Sequence, residues 1–308
     1  MAATPAESPL DDRDRRLIGA LQCDGRLTAE KAAAVLDMST RTVRRRWTTL
    51  LASGAARVVG APRPATGVGG ILLRIKVLRG RVDAIAATLA AHEDIPLIDL
   101  SATGDEIVAV ATGRPDAVNR VVAQQTAVAS VAAQTVLHVY ASAADWRLDA
   151  LTEAERAALT TPATQPQRPL DATDRAILAA LEPDGRAPAA RLATQCGLPE
   201  STVRRRLAAL ADSGQLRTQV LLDHRRLGLA VNAILALRVD PGQLDRTGRR
   251  LAGHPAVHGA FATTGDANLQ LSVRVPDLSR LYALIAGDLG GLGIASVDTV
   301  LLGKPIKN

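Results

Sequence analysis

Aromatic residues are scarce in this sequence: one Phe, two Trp and two Tyr make up 2% of its 308 residues. Hydrophobic residues nevertheless account for 47% of the chain, so any core must consist mainly of Ala, Val, Leu and Ile. Proteins that bind RNA by base stacking need exposed aromatic side chains. The composition therefore argues against a stacking RNA-binding surface.

Cysteine is also rare, with Cys23 and Cys196 as the two examples. Two thiols are too few for a disulfide framework, and neither lies at the spacing of a zinc site. We expect both to be buried as small hydrophobic side chains, and we expect neither a bound metal nor a cofactor.

Long apolar runs are missing as well, because no stretch reaches the length of about 18 residues that a membrane span needs. Residues 1–9 contain neither the basic nor the apolar region of a signal peptide, and we expect them to form a disordered tail. The sequence therefore predicts a cytoplasmic protein that does not bind membranes.

The formal net charge is +6 and the pI is about 10.0, which indicates an anionic partner unless it reflects an arginine-rich source composition. Residues 11–60 contain ten Arg or Lys against six Asp or Glu, a net charge of +4. Residues 171–220 contain seven against six, a net charge of +1. The basic excess is thus unequal between two segments that are otherwise similar.

Those two segments belong to an internal repeat, in which residues 11–57 align without a gap with residues 171–217 at an offset of 160. Both copies contain Asp-Gly-Arg, at 24–26 and 184–186, and Thr-Val-Arg-Arg-Arg, at 42–46 and 202–206. So many ungapped identities are not expected by chance, and they indicate a duplicated chain.

The first copy has the pattern of a helix-turn-helix. Apolar periodicity predicts helices over Asp11–Leu21 and Ala29–Leu36, and a third helix from the N-cap Ser39 to about Leu50. The turn falls at Asp37, where the second copy has Gly197, and both residue types tolerate a left-handed backbone.

The third helix has two faces. Val43, Trp47 and Leu50 share one face, which we expect to be buried. The opposite face carries Arg41, Arg44, Arg45 and Thr48. An exposed basic face on this helix fits the DNA major groove, where arginine binds guanine or phosphate; a lone arginine run would more often be a solvated surface. The predicted DNA-binding residues are Ser39, Thr40, Arg41, Thr42, Arg44, Arg45 and Thr48 in the first copy, and Ser201, Thr202, Arg204 and Arg205 in the second.

The second copy departs from the first at the start of this helix, where Pro199, Glu200 and Ser201 replace Ser39, Thr40 and Arg41. Its exposed face is Ser201, Arg204, Arg205 and Ala208. Because Glu200 would repel phosphate, we expect weaker or differently specified DNA contact from this copy. Arg46 and Arg206 lie at the edge of the buried face, and we expect them to form structural ion pairs with Asp14 or Asp174.

Strand-like and helix-like segments follow each helix-turn-helix in the order β-α-β-β-α-β, the ferredoxin-like arrangement. Both halves carry Thr-Gly-Asp between the second and third strands. In the first half the predicted strands are 71–77, 97–103, 107–112 and 131–140, with helices over 82–91 and 115–125. In the second half the strands are 233–239, 257–264, 269–275 and 294–302, with helices over 243–252 and 276–289. Between the halves, 151–159 is predicted to be a helix capped by Thr152, and 160–169 a flexible linker.

These motifs resemble the Lrp/AsnC family of feast/famine regulators. The family pattern Leu-Asp-x-x-Asp-x-x-Ile-Leu is present from Leu170 to Leu178, followed by Asp-Gly-Arg and by Leu198, Val203, Arg206, Leu210 and Gly214. The resemblance covers nearly the whole chain twice, as a tandem-duplicated form.

The resemblance implies an α+β fold with two winged helix-turn-helix domains and two ferredoxin-like sensor domains in tandem. It also implies that the protein is a transcription regulator and not an enzyme, with double-stranded DNA as its partner. The expected boundaries are a tail at 1–9, a DNA-binding domain at 10–62, a sensor at 63–142, a linker with a short helix at 143–169, a second DNA-binding domain at 170–222 and a second sensor at 223–308.

Family sensors pair their sheets across a dimer and bind small effectors, often amino acids, near the turn between the second and third strands. The resemblance implies a pseudo-dimer within one chain, with further homo-oligomerisation possible. The implied effector-binding residues are Thr103, Gly104 and Asp105 in the first half and Thr264, Gly265 and Asp266 in the second. The alternative is that these residues simply form a tight turn.

Two other functions compete with this interpretation. Siroheme decarboxylases resemble the same architecture, and His224–Gly228 is faintly similar to a segment of them, but the first half has no equivalent histidine and few aromatic residues are available to line a tetrapyrrole pocket. An effector-binding or scaffold protein with relic DNA-binding domains is the second alternative. No nucleophile–histidine–acid set or phosphate-binding loop is visible.

Overall fold

A computed structural model describes residues 10–60, 69–78, 80–112, 127–142 and 146–307. The predicted tail at 1–9, the predicted helix at 115–125 and the predicted boundaries near 62 and 142 lie outside these residues or at their edges. The chain divides into two compact units. One contains the described parts of 1–64 and 147–227, and the other those of 65–146 and 228–308.

The first unit contains both copies of the helix-turn-helix, so two distant stretches of sequence fold together. Each copy has three helices and one strand within the described residues. In the first copy these are α1 (Asp12–Cys23), α2 (Ala29–Leu36), α3 (Thr40–Ala52) and β1 (Ala56–Gly60). A further helix, α5 (Glu153–Leu159), precedes the second copy. The second copy comprises α6 (Ala172–Leu181), α7 (Ala189–Cys196), α8 (Glu200–Asp212) and β6 (Thr218–Leu222).

The helices of the first copy begin where the sequence predicts them to begin. Asp11, Thr28 and Ser39 each accept a hydrogen bond from the backbone N–H three residues later, as N-cap side chains do. The turn residue Asp37 has a φ of 54° and its counterpart Gly197 a φ of 64°, which confirms the predicted left-handed turn. Pro199 makes no side-chain cap hydrogen bond, so α8 begins without the cap of α3.

The strand that follows the three helices of each copy pairs with its counterpart in the other copy. Among the described residues, β1 and β6 form a two-stranded antiparallel sheet with each other. The register pairs Val59 with Gln219, which are equivalent residues at the 160-residue offset, so a pseudo-twofold axis passes through this pair. A strand without a neighbour has no partners for its backbone N–H and C=O groups, and the pairing of β1 with β6 satisfies those on one edge of each strand.

The segment between the copies comprises the predicted helix at 151–159 and the predicted linker at 160–169. Helix α5 forms as expected, with a capping box between Thr152 and Glu155, and packs against α1 and α2. The stretch 160–169, however, is held against the second copy, because the backbone N–H groups of Thr164 and Gln165 both donate to the carbonyl oxygen of Asp212, at 2.8 and 2.9 Å. The predicted flexible linker thus contains two residues that are hydrogen-bonded to the second copy.

The second unit is built around a closed barrel of eight strands. In the first half of the chain they are β2 (Ile71–Val77), β3 (Leu97–Ser101), β4 (Glu106–Ala111) and β5 (Val128–Ala141), with α4 (Val82–Ala90) after β2. In the second half they are β7 (Val231–Val239), β8 (Val257–Thr263), β9 (Leu269–Val275) and β10 (Ile294–Lys307), with α9 (Leu244–Ala252) after β7. A short helix, α10 (Leu278–Ala283), continues into a π-turn at Leu284–Asp288. Around the barrel the order is β10-β3-β4-β2-β5-β8-β9-β7.

The barrel closes because each half extends its last strand onto the other half. Strand β5 pairs with β2 and then with β8, and β10 pairs with β7 and then with β3. Two hydrophobic cores lie under the helices, one within each half. The exchanged strand ends join the opposite core: Tyr140 packs on the second, and Ile306 on the first.

The predicted helix over 276–289 is correct in place but not in form. The α-helical part starts after Pro276, with Asp277 as the N-cap, because the Asp277 side chain accepts a hydrogen bond from the backbone N–H of Arg280. From Leu284 the helix widens into the π-turn. The last strands are both longer than predicted, since their ends pair across the two halves.

Tyr140 lies on the end of β5 that pairs with the opposite half, and it packs against Gly248 of α9. A Cβ atom at Gly248 would lie 2.3 Å from the ring of Tyr140, so Gly248→Ala must displace the ring. We expect this variant to destabilise the protein by about 1–3 kcal/mol in urea unfolding. At Gly253 an added Cβ would lie 3.7 Å from its nearest neighbour, so Gly253→Ala is the matched control. Equal stability of the two variants would contradict the packing described.

Candidate nucleic-acid interface

The third helix of each copy presents the side chains that the periodicity assigned to its outer face. Val43, Trp47 and Leu50 are buried under α3, as Val203, Leu207 and Leu210 are under α8. On the outer face Arg41, Arg44, Arg45 and Thr48 are exposed in the first copy, and Ser201, Arg204, Arg205 and Ala208 in the second. The remaining candidates lie at the helix starts: Ser39 is exposed, and Thr40, Thr42 and Thr202 are half-buried.

A carboxylate forms an ion pair with the same arginine in both copies, which the sequence analysis predicted for neither. Arg44 forms an ion pair with Glu30 of α2, and Arg204 one with Glu200, four residues earlier on α8. The equivalents of Glu30 and Glu200 are Ala190 and Thr40, so the carboxylates come from different positions. These pairs are exposed and therefore weak, but they orient the two guanidinium groups. The sequence signal that could have predicted the ion pair of Glu30 with Arg44 is the position of Glu30 on α2, the helix that packs against α3.

The third arginine of each run supports the fold, as predicted. Arg46 forms ion pairs with Asp11 and Asp14, at 2.9 and 2.8 Å. Arg206 pairs with Asp171 and Asp174, at 2.6 and 3.3 Å. Both arginines thus join the third helix of their copy to the start of its first helix.

Asp174 is the most buried of these carboxylates, with a side-chain exposure of 0%. Arg168, from the segment before α6, donates two hydrogen bonds to it, at 2.6 and 3.0 Å. These hydrogen bonds hold the pKa of Asp174 below its usual value, with further lowering by the backbone of Asp171 and by Arg206, against the effect of burial.

The candidate effector residues lie on two exposed turns of the second unit, one in each half. In the first turn Thr103 donates a 2.5 Å hydrogen bond to Asp105, which lowers the pKa of this carboxyl group. Ser101 accepts hydrogen bonds from the backbone N–H groups of Asp105 and Glu106. Many of the hydrogen-bond donors and acceptors of this turn are therefore bound to other groups of the same turn.

The second turn is bound to the first half of the chain instead. Thr264 exchanges two hydrogen bonds with the backbone of Thr135, at 2.9 and 3.0 Å. Gly265 has a φ of 93°, which requires glycine, and lies beside Gln134. Asp266 is exposed, and its side chain makes no hydrogen bond or ion pair with the residues that the structure describes.

Two features are absent from the described ranges, a metal-binding cluster and a membrane-spanning helix. No group of three or more His, Cys, Asp and Glu side chains in them is arranged to hold a metal ion. No helix in them is long and apolar enough to cross a membrane.

Models of known protein families match residues in both units of the chain. The model of the AsnC-type helix-turn-helix domain matches residues 10–51 and again 170–211, and the model of the Lrp/AsnC ligand-binding domain matches 232–308. The HTH-type transcriptional regulator FL11 of Pyrococcus horikoshii is 30% identical over 142 residues, which are 45% of this chain and 93% of that protein. The chain belongs to the Lrp/AsnC family. It is therefore a DNA-binding transcription regulator with a ligand-binding domain.

Other relatives in this family are more distant. The regulatory protein AsnC of Haemophilus influenzae is 27% identical over 119 residues, or 38% of this chain and 79% of that protein. Among solved structures, the siroheme decarboxylase NirDL in complex with an iron-uroporphyrin III analogue is similar in fold, with a TM-score of 0.64 over 97% of this chain and 93% of that chain. Its sequence identity is 14%, so the likeness concerns the fold alone.

The segment that is faintly similar to siroheme decarboxylases begins at His224, and its residues 224–227 lie in the helix-turn-helix unit. After β6, residues 223–227 run across the first copy, where Arg226 accepts a backbone hydrogen bond from Leu10 and donates one from its side chain to Ser53. Leu227 is buried there and accepts a hydrogen bond from Arg15. Residues 224–227 thus have structural contacts in this chain, and the homologous proteins FL11 and AsnC are named as regulators.

The lowered pKa of Asp174 predicts how stability depends on pH. A carboxyl group with a folded pKa below its unfolded pKa, about 3.9, stabilises the fold above pH 4, and this contribution is lost as the pH falls through the folded pKa. We expect Asp174→Asn to cost about 3 kcal/mol at pH 7, since it leaves Arg168 and Arg206 without their buried partner.

Urea unfolding between pH 2 and pH 7 measures this effect. The difference between the wild type and Asp174→Asn should shrink as the pH falls below about 4. Asp12→Asn, an exposed carboxylate on α1, is the control and should change stability little at any pH. A constant difference across the pH range would show that the carboxylate charge is not what stabilises this site.

Proposed function

We propose that the protein is a sequence-specific regulator whose two recognition helices, α3 and α8, contact adjacent half-sites on one DNA duplex. The observation that carries the proposal is the pair of exposed arginine faces on third helices whose opposite faces are buried, both within one compact unit. Exposed arginines on such a helix bind guanine edges and phosphates in the major groove. Covalent linkage gives the second helix a high effective concentration once the first has bound.

The two helices contribute unequally in this proposal. The first offers Arg41 and Arg45 as guanidinium groups without an ion-pair partner among the described residues, and the second offers Arg205. Ser201 stands where Arg41 would be, and Glu200 lies at the helix start, where its charge disfavours phosphate. The proposed operator is therefore not a strict palindrome, because different side chains face its two half-sites.

The proposal includes a second sensor domain in the first half of the chain. Its described elements run β2-α4-β3-β4 and then β5, in the same order as those of the half that the family model matches. Strand exchange between β5 and β10 supports a pseudo-dimer of sensors within one polypeptide. The domain boundaries expected from the sequence remain part of this proposal, except that residues 223–227 lie with the helix-turn-helix unit. A cytoplasmic location and further assembly of chains are also proposed.

We also propose that a small molecule, with an amino acid as the favoured class, binds at the Thr-Gly-Asp turns and modulates DNA binding. Exposed backbone N–H groups of a glycine turn bind a carboxylate, and an aspartate binds an ammonium group. The two turns differ, since Asp105 is engaged by Thr103 whereas Asp266 is available. The turn at 264–266 is therefore the stronger candidate.

DNA binding is tested by selecting genomic fragments with the purified protein and measuring affinities by gel shift. We expect Arg41→Ala and Arg45→Ala each to weaken binding about tenfold, the loss typical of one arginine–base contact. Ser201→Ala should have a smaller effect, because a hydroxyl group makes a weaker contact. Arg249→Ala removes the same charge from the exposed surface of α9 and serves as the control.

Two results would contradict the proposal. If no sequence is enriched from the genomic fragments, the protein is not a sequence-specific regulator. If Arg41→Ala weakens binding no more than Ser201→Ala, the two recognition helices are equivalent and the proposed asymmetry is wrong.

Effector binding is tested by calorimetry with the 20 amino acids and the full chain. For an amino acid that binds, we expect Asp266→Asn to lower the affinity about tenfold or more, because it removes a charge-assisted hydrogen bond to the ammonium group. Asp245→Asn, on the exposed surface of α9, is the control of equal charge change. Equal losses from both variants would place the effector elsewhere.

A further inference from the structure

The Asp-Gly-Arg motifs, at 24–26 and 184–186, are identical in the two copies but have no part in the proposed DNA contacts. Each lies in the connection between the first and second helices of its copy. The structure brings the two motifs together within the helix-turn-helix unit, next to the sheet formed by β1 and β6. Each Asp, Gly and Arg of the two motifs makes a contact that explains why that residue type occupies its position.

The arginines cross to the opposite copy. Arg26 donates to the carbonyl oxygens of Gly185 and Ala187, at 2.7 and 3.1 Å. Arg186 donates to those of Gly25 and Leu27, at 2.5 and 3.2 Å. The acceptors correspond at the 160-residue offset, so the two contacts are related by the pseudo-twofold axis. A guanidinium group can bridge two carbonyl groups in this way because its donors have a fixed fork geometry.

The aspartates and glycines of the motifs hold the connections between the first and second helices in the conformation that allows Arg26 and Arg186 to reach the opposite copy. Asp24 accepts a hydrogen bond from the backbone N–H of Arg26, at 2.9 Å, and Asp184 does so from Arg186, at 3.0 Å. A Cβ atom at Gly25 would lie 2.4 Å from the Thr218 hydroxyl oxygen. At Gly185 it would lie 2.8 Å from the backbone carbonyl of Val59, which cannot move away without breaking the sheet.

The crossing also reaches one recognition helix directly. The guanidinium carbon of Arg186 lies 5.1 Å from the ring centroid of Trp47, on the buried face of α3. Burial lowers the pKa of both Arg26 and Arg186, and nearby Asp24 and Asp184 oppose this effect. The second copy has Leu207 at the position equivalent to Trp47, so this stacking contact is restricted to the first recognition helix.

We infer that Arg26 and Arg186 form an arginine clasp that holds α3 and α8 at a fixed separation and thereby sets the half-site spacing that the protein accepts. Both are positioning residues, since neither lies on a recognition helix. The inference rests on the proposed function for its consequence on DNA, but the clasp itself is a property of the protein alone. Arg186 has the larger effect of the two, because it also contacts Trp47.

The experiment uses the full chain and DNA duplexes with two half-sites whose separation increases one base pair at a time over one helical turn, about 10 base pairs. The wild type should prefer one spacing by about tenfold or more, as a rigid pair of binding sites does. In the double variant R26A/R186A this preference should fall to about twofold or less, while affinity for a duplex with a single half-site stays unchanged.

Four further variants sharpen the result. R186A alone should reduce the spacing preference more than R26A alone. R26K/R186K keeps both charges but loses the forked geometry, so it should behave like the alanine variant and not like the wild type. Arg45→Ala should lower affinity for every spacing and leave the preference intact.

A measurement without DNA separates the clasp from the proposed function. Hydrogen exchange of the Gly25 and Gly185 amides, which donate to Thr218 and Val58, should become at least tenfold faster in R26A/R186A. Circular dichroism confirms that the variant is folded. An unchanged spacing preference in a folded variant overturns the inference about spacing. Unchanged exchange overturns the clasp, and it does so even if the wild type binds no DNA and the proposed function fails.

Discussion

The architecture depends on backbone hydrogen bonds that neither half of the chain can satisfy alone. Strands β1 and β6 have no pairing partner in their own copies among the described residues, and they pair with each other. In the second unit, β5 and β10 extend beyond their own sheets and pair with the opposite half. Because an unpaired buried backbone group costs as much as a lost hydrogen bond, the duplication is the means by which each half completes the other.

This mutual completion keeps the pseudo-twofold symmetry of the backbone while the surfaces diverge. The register of β1 with β6 and the crossed contacts of Arg26 and Arg186 follow the 160-residue offset. The exposed residues near the starts of α3 and α8 do not follow it, since Arg41 is replaced by Ser201. Side chains in the interface are constrained by a partner on each side, whereas exposed side chains are free to change.

In the barrel, by contrast, the contacts that join the two halves differ in their side chains. Lys307, at the end of β10, donates hydrogen bonds to the carbonyl oxygens of Ala90 and His92 at the end of α4, at 3.0 and 2.8 Å, and so completes a helix end in the opposite half. In the other direction, Tyr140 packs on the middle of α9, where Gly248 leaves room for its ring. The two contacts join the halves by different chemistry.

The sequence by itself determined the local structure. Caps and periodicity were sufficient for the helices around Asp37 and Gly197, for the buried and exposed faces of α3, and for the structural pairing of Arg46 and Arg206. Each of these depends on side chains that lie within one copy, where spacing along a helix translates directly into position. The Lrp/AsnC resemblance rested on the same local motifs.

Only the tertiary structure decided which strands pair and what the Asp-Gly-Arg arginines contact. A strand pattern is compatible with a wing inside one copy and with a sheet shared by two, because backbone donors and acceptors are the same on every strand. The carbonyl groups bound by Arg26 lie about 160 residues away in the chain, and carbonyl groups carry no sequence signal. The repeat and the family resemblance predicted two similar copies and a pseudo-dimer, and the fold alone showed which strands and side chains join them.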